Sequence, residues 1–343
     1  MKAIGYLQSL PIEHPESLVD LELPPPAPGP RDLLVRVGAV SVNPVDTKVR
    51  RSRAPQPGQP EVLGWDAVGI VEALGEAVEG FAVGDRVYYA GAINRPGSNA
   101  ELQVVDHRIA AHAPRSLPDA EAAGLPLTAI TAWELLFDRL GVPEGGGAGQ
   151  SLLVIGAAGG VGSVLVQLAR QLTQLRVIGT ASRPETQAWV RELGAHAVID
   201  HGQPLRPQLV AAGVAEVEYV ASLSHTEQHW TDLIDAAAPQ GRVGIIDDLS
   251  GPVDVMQLKR KALSLHWEMM FTRPMFGTAD VAAQGRLLAR VAALVDQGRL
   301  RSTVSERLQP IDAVQLRRAH ALVESGRMRG KVVLGGGFGT PGA

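Results

Sequence analysis

Hydrophobic and polar positions change their period along the chain. In the first third, short β-rich runs at 33–37, 69–71 and 85–89 are separated by glycine and proline clusters, a spacing that predicts a compact β-rich body. After Pro126 the pattern turns helical: residues 128–140 put Trp133, Leu136 and Phe137 on one side, and 144–149 reads as a glycine loop. From Ser151 strand and helix patterns alternate. Strands are expected at 152–155, 176–179, 197–200, 217–220 and 241–246, with helices at 161–172, 185–193 and 226–238. Such alternation implies right-handed crossovers and a parallel sheet covered on both faces, which a strand at 263–271 would close.

The remaining segment carries helix patterns at 279–297 and 312–325 and strand patterns at 303–308 and 331–334. It does not extend the alternation, so it is assigned back to the first body. The domain reading is 1–126 for the first part of that body, 127–268 for the α/β domain, and 269–343 for the return. The return ends in a glycine-rich tail at 335–342 that is expected to fray. No internal repeat of 20 to 50 residues is visible.

Composition narrows the chemistry. At 343 residues the chain is long enough for two domains and a core without staples. It contains no cysteine, which excludes disulfides, iron–sulfur clusters and thiolate zinc sites. A net charge of -4 with both signs interspersed offers no basic field for nucleic acid. No uninterrupted apolar run is long enough for a membrane span, and the N-terminus lacks a signal-peptide core. The expectation is a cytoplasmic protein with no membrane or nucleic-acid partner.

The sharpest local signal is Gly156-Ala157-Ala158-Gly159-Gly160-Val161-Gly162, which follows an apolar strand and opens a helix. A Cβ there would hold the backbone away from a pyrophosphate, and a helix N-terminus supplies unpaired N–H groups and a positive dipole end. Against G-x-G-x-x-G, Ala157 stands where the first glycine belongs, followed by Gly159 and Gly162. The next strand ends in Thr180-Ala181-Ser182-Arg183-Pro184, where an NAD site wants a carboxylate for the ribose. A hydroxyl and a guanidinium instead suit a 2′-phosphate, so NADPH is the expected cofactor. The plainer alternative makes Arg183 a solvated loop residue and Ser182 the cap of the helix behind Pro184.

Several motifs in order give the chain its resemblance. Ser41-Val42-Asn43-Pro44-Val45-Asp46-Thr47-Lys48, Gly64-Trp65-Asp66-Ala67-Val68-Gly69, Gly84-Asp85-Arg86-Val87 and Pro126-Leu127-Thr128-Ala129-Ile130-Thr131-Ala132-Trp133 precede the glycine loop. With them the chain resembles the medium-chain dehydrogenase/reductase superfamily, and within it the quinone oxidoreductase branch that often carries a zinc-binding alcohol dehydrogenase label. The resemblance implies a GroES-like catalytic body at both chain ends with a doubly wound Rossmann domain inserted. It implies that Thr131, Ala158 to Val161, Ser182, Arg183, Leu223, Ser224 and Phe271 lie along the cofactor, that Asn43 approaches the nicotinamide and substrate, and that the last Rossmann strands pair in a homodimer. Zinc-dependent relatives bind the metal through a cysteine near the position of Asn43 and a histidine at the position of Trp65. Neither is present here, so no metal is expected. Many zinc-free relatives carry a tyrosine where this chain has Lys48, which leaves the proton donor open.

Other constellations are weaker. His225 and His229 have the i, i+4 spacing of a metal pair but no evident third ligand. The apolar stretch Trp267, Met269, Met270 and Phe271 reads as core or interface. Ser151 and Ser163 lack the surroundings of a hydrolase nucleophile. The leading expectation is a zinc-independent NADPH oxidoreductase reducing a quinone or an activated C=C bond, with Asn43 orienting the oxygen and Lys48 or water giving the proton. The alternatives are carbonyl or alcohol redox chemistry and a non-catalytic NADPH-binding protein.

Overall fold

The computed structural model describes residues 1–339. The chain divides into two compact units, Met1–Ile130 together with the segment from Phe271 onward, and Thr131–Met270.

The first unit opens with eight strands: β1 (Lys2–Tyr6), β2 (Val19–Glu22), β3 (Asp32–Val42), β4 (Glu61–Val62), β5 (Asp66–Leu74), β6 (Arg86–Tyr89), β7 (Leu102–Asp106) and β8 (Ala110–His112). β1 pairs antiparallel with β2 and β4, while β3 pairs with β5 and β7, and β6 joins β5 to β8. Alternation along β3 buries Leu33, Val35 and Val37 and exposes Arg36, as a period-two strand with one buried face requires. Its ladder with β5 shifts register between Leu34 and Val35 and again between Val37 and Ala39, the mark of bulges that bend a sheet. Helix α1 (Pro44–Ser52) starts where Asn43 takes the extended N-cap conformation, Pro44 sits at the first helical position, and Asp46 accepts the Asn43 N–H at 2.7 Å. Helices α2 (Asp119–Ala123) and α3 (Pro126–Trp133) follow. The single helix expected over 128–140 is therefore two structures, because the backbone widens into a π-helical turn at Glu134–Arg139. There the fully buried Glu134 lies 3.8 Å from Arg139, which also donates to Glu268 at 2.8 Å.

The second unit carries the expected alternation: β9 (Ser151–Ile155), α4 (Gly160–Leu172), β10 (Arg176–Thr180), α5 (Pro184–Glu192), β11 (Ala197–Ile199), α6 (Leu205–Ala211), β12 (Val217–Ser222), α7 (Thr226–Ala236), β13 (Ala237–Ile245) and β14 (Ser264–Trp267). All neighbouring pairs are parallel, in the order β11-β10-β9-β12-β13-β14. This is the doubly wound order whose direction reverses between the first and fourth strands, here β9 and β12. Leu153, Ile155, Ile178, Val220, Trp230, Leu233 and Val243 fill one core cluster. Helix α6 has no counterpart in the sequence reading; its Pro207 lies in the first turn, where proline is tolerated, and Leu205 and Leu209 anchor it. β14 is shorter than the expected 263–271 because Glu268 turns inward to Arg139 and Phe271 starts a helix.

That helix is α8 (Thr272–Phe276), followed by α9 (Ala283–Asp296), β15 (Val304–Leu308), α10 (Ala313–Glu324) and β16 (Lys331–Leu334). β16 pairs parallel with β15 and antiparallel with the far end of β3, Val332 opposite Val42, so the chain end completes the sheet that the N-terminal third began. The glycine tail is not loose where it is described: Gly335 N–H donates to Leu308 at 3.1 Å and Gly339 N–H to Ile311 at 3.0 Å. Residues 340–342 of that reading lie outside the described residues. Among the described residues no helix is long and apolar enough to cross a membrane.

Candidate active site

The turn after β9 is built for a close backbone approach. Gly156 has φ +75°, a conformation that favours glycine, and a Cβ on it would come within 2.8 Å of Ser224 Oγ. A Cβ on Gly162 would lie 2.6 Å from Ala157 Cα, so only glycine lets α4 pack onto the turn. Gly159 is the N-cap and supplies no side chain, which leaves the first N–H groups of α4 to an anion. Gly160 and Val161 at the start of the helix are partly exposed, and Ala158 is 9% exposed. Leu223 and Ser224 follow β12 on the opposite side of the reversal in strand order, and Leu223 N–H reaches Ile155 O at 3.3 Å. The predicted loop residues are thus gathered at the topological switch point, where doubly wound sheets bind ligands.

The end of β10 is more open. Ser182 is exposed, and Arg183 forms the N-cap of α5, where the Thr186 hydroxyl donates to Arg183 O at 2.9 Å. The capping role considered for Ser182 therefore falls to its neighbour. Arg183 Nη1 lies 3.3 Å from Glu185 Oε1, with the two side chains 42% and 54% exposed. Two participants were not singled out from sequence: the Thr180 hydroxyl accepts the Gly156 N–H at 3.2 Å and lies 3.0 Å from His201 Nδ1. His201 packs edge-on against His229 at 5.7 Å, and burial holds both imidazoles below their ordinary range. The His225–His229 pair thus gains a ring neighbour and not a ligand set; among the described residues no group of three or more His, Cys, Asp or Glu could hold a metal.

In the first unit, Asn43 sits in a buried polar cluster. Its Nδ2 donates to Asp66 Oδ2 at 2.8 Å, its Oδ1 accepts from Lys331 Nζ, and it is 1% exposed. Lys331 also donates to Val42 O at 3.1 Å and to Asp66 Oδ2 at 3.2 Å, while Asp66 Oδ1 accepts Leu127 N–H at 2.7 Å. Burial pushes the Asp66 carboxyl up against the opposing pull of Lys331 and Asn43, and pushes Asp46 up to about 7. The sequence reading has Asn43 facing a substrate; in the structure both ends of its amide are engaged inside the chain. Lys48 is half-buried on α1. Thr131, on α3, is 6% exposed, and Phe271 is 3% exposed with its ring edge-on to Trp65 at 5.8 Å. Lys331 was missed because a lysine in a C-terminal strand carries no local signal of burial.

The positions at which zinc relatives carry ligands do not fit a zinc ion. Asn43 and Trp65 are poor donors for it, and the Lys331 ammonium beside Asn43 would repel a second cation. A dinucleotide does fit the second unit, through the glycines and free N–H groups of the β9–α4 turn.

A GroES-like body with an inserted doubly wound unit defines an oxidoreductase. The alcohol dehydrogenase GroES-like domain matches residues 29–115, and the zinc-binding dehydrogenase domain matches 193–334. A zinc-type alcohol dehydrogenase-like protein of Staphylococcus epidermidis is 37% identical over 97% of this chain and 99% of its own. A quinone oxidoreductase of Pseudomonas aeruginosa is 33% identical over 93% and 96%. A crystal structure from Rhizobium etli, whose assignment as a zinc-dependent alcohol dehydrogenase is provisional, superposes with a TM-score of 0.95 at 56% identity, covering 99% of each chain. The chain belongs to the medium-chain dehydrogenase/reductase superfamily, in the group of zinc-type alcohol dehydrogenase-like proteins and quinone oxidoreductases.

Proposed function

We propose that this oxidoreductase uses NADPH to reduce a quinone or the activated C=C bond of an enone, without zinc. The observation that carries the reading is the buried Lys331–Asn43–Asp66 cluster, which stands at a position where a zinc enzyme needs a ligand. Without a Lewis acid, hydride addition to a simple ketone leaves a localised alkoxide, whereas addition to an enone or quinone spreads the charge into an enolate or hydroquinone anion that hydrogen-bond donors can hold. Similarity to the Pseudomonas quinone oxidoreductase, and at 28% identity to a 2-methylene-furan-3-one reductase of tomato, supports the same class.

When bound, NADPH supplies the hydride. The N–H groups of the first turn of α4, Gly160 to Gly162, would bind the pyrophosphate, and Ser182 and Arg183 would receive the 2′-phosphate. Lys331 and Asp66 fix the rotamer of the Asn43 amide and leave one Nδ2 hydrogen to offer a substrate oxygen. Lys48 or water returns the proton. A second reading, interconversion of alcohols and carbonyls, is favoured by the names of the relatives that share 37% and 56% identity.

Cofactor oxidation over a panel of quinones, enones, aldehydes and alcohols, with NADPH and NADH and after dialysis against a chelator, tests these readings. Turnover of quinones or enones that survives the chelator supports the first. Alcohol oxidation that returns only with zinc overturns it.

A further inference from the structure

The second unit encloses two carboxyl groups around one guanidinium. The side chains of Glu134 and Glu268 are both fully buried; Arg139 Nε donates to Glu268 Oε2 at 2.8 Å, and its Nη2 lies 3.8 Å from Glu134 Oε2. The backbone is shaped to allow this. In an α-helix, side chains five positions apart are rotated about 140° from one another. The wider π-helical turn at Glu134–Arg139, in which Leu140 N–H donates to Leu135 O at 2.9 Å, brings them onto one side. Glu268 arrives from the other end of the unit, directly after β14. Its own N–H still donates to Ile245 O at 2.9 Å, while Trp267 and Met269 on either side of it are 54% and 47% exposed. The inward side chain of Glu268 therefore fastens the end of the terminal strand.

Charge does not balance there unless a proton is present. Two buried carboxylates against one guanidinium leave a net negative charge out of reach of water. Glu134 and Glu268 are also hydrogen-bonded to each other, and two ionised carboxylates, being acceptors only, cannot make that bond. Glu268 Oε1 is buried with no hydrogen-bond partner, so nothing there stabilises a second ionisation. The surrounding groups do not supply the missing charge. On the π-helical turn Asp138 is exposed; on β13 the exposed Arg242 donates to Leu140 O at 2.7 Å; on β14 burial and the Arg242 and Arg139 charges hold His266 below its ordinary 6.5, so it is neutral above pH 7.

We propose that Glu134 and Glu268 share one proton and act as an alkali-sensitive latch, in which loss of the proton expels Glu268 and releases the end of β14 with its apolar pair Trp267 and Met269. Burial and the Glu134 charge, opposed by Arg139, push the Glu268 carboxyl up from its ordinary 4.5 to about 9. A carboxyl raised in the folded chain contributes stability that is complete below pH 4.5 and is lost as pH rises toward 9. The latch is thus closed at neutral pH and opens in the alkaline range. It belongs to the sheet edge and not to hydride transfer, so it does not depend on the oxidoreductase reading.

The test follows Trp267 in the full chain labelled with 5-fluorotryptophan, its ¹⁹F resonance identified by its loss in Trp267→Phe. Between pH 7 and 10 the wild-type resonance should shift in a single step. In denaturant, the ratio of unfolded to folded Trp267 signal should rise by up to about tenfold per pH unit between pH 7 and 9. Glu268→Gln and Glu134→Gln each leave one carboxylate for one guanidinium, so either substitution should abolish the step and flatten that rise. A wild-type resonance that does not move over this range, or a step that persists in either variant, overturns the latch. Should one variant fail to fold, the wild type and the other variant still decide the matter.

Discussion

Lys331 Nζ lies 3.2 Å from Asp66 Oδ2 across a sequence separation of 265 residues, with the two side chains 3% and 0% exposed. Removing one charge strands the other in the core, which typically costs about 3–5 kcal/mol, whereas removing both together costs far less. Lys331→Met should therefore destabilise the protein by about 3 kcal/mol or more in chemical denaturation. Lys331→Met combined with Asp66→Leu should recover part of that loss. Additive losses would mean that the two charges are not coupled.

Cofactor discrimination is expected to rest on Arg183 and to be moderated by Glu185. A charge-assisted contact contributes about 1.5–3 kcal/mol, and the exposure of Arg183 places it at the lower end. Arg183→Ala should weaken NADPH binding about tenfold and leave NADH unchanged in equilibrium titrations. Glu185→Gln, by releasing the guanidinium, should tighten NADPH a fewfold.

Acid sensitivity should trace to His320. It is fully buried, both ring nitrogens lack partners, and burial, aided by the nearby Arg50 charge, lowers its pKa to about 3. Between that value and its ordinary 6.5 the unfolded chain binds a proton that the folded chain refuses. The contribution of His320 to stability is thus complete above pH 6.5 and declines as pH falls, by up to about 1.4 kcal/mol per unit. His320→Leu should flatten the stability profile between pH 7 and 5 in denaturant titrations; an unchanged slope would place the sensitivity elsewhere.

β14 ends the order of its sheet, with Trp267 54% exposed and Met269, just beyond it, 47% exposed. An apolar edge of this kind is ordinarily covered. Sedimentation at micromolar concentration should find a dimer of this chain, and Trp267→Lys should shift it toward monomer. A monomeric wild type would refute this association.

The legible parts of the sequence were those with local periodicity. The β–α alternation and the glycine turn could be read because a strand, a tight turn and a helix N-terminus place their demands on consecutive residues. Helix α6 escaped because Pro207 reads as a breaker unless its place in the first turn is known. The π-helical turn at Glu134 escaped because Glu268, which shares Arg139 with it, lies far along the chain. Asn43 was noticed as a motif residue, but its engagement by Lys331 depends on the pairing of β16 with β3, which no local pattern records.

That pairing also sets a schedule for synthesis. Val42 O waits 289 residues for the ammonium of Lys331, so at about 5–20 residues per second the far end of β3 leaves the ribosome roughly 15–60 s before its partner strand. Late in that interval, once Trp267 has been made, the inserted unit has every strand of its own sheet, while the first body still has an open β edge and an Asp66 without its lysine. Slow translation or truncation before β16 would therefore leave the far end of β3 as a sticky open edge, and β16 acts as the closing stitch of a domain begun at the first strand.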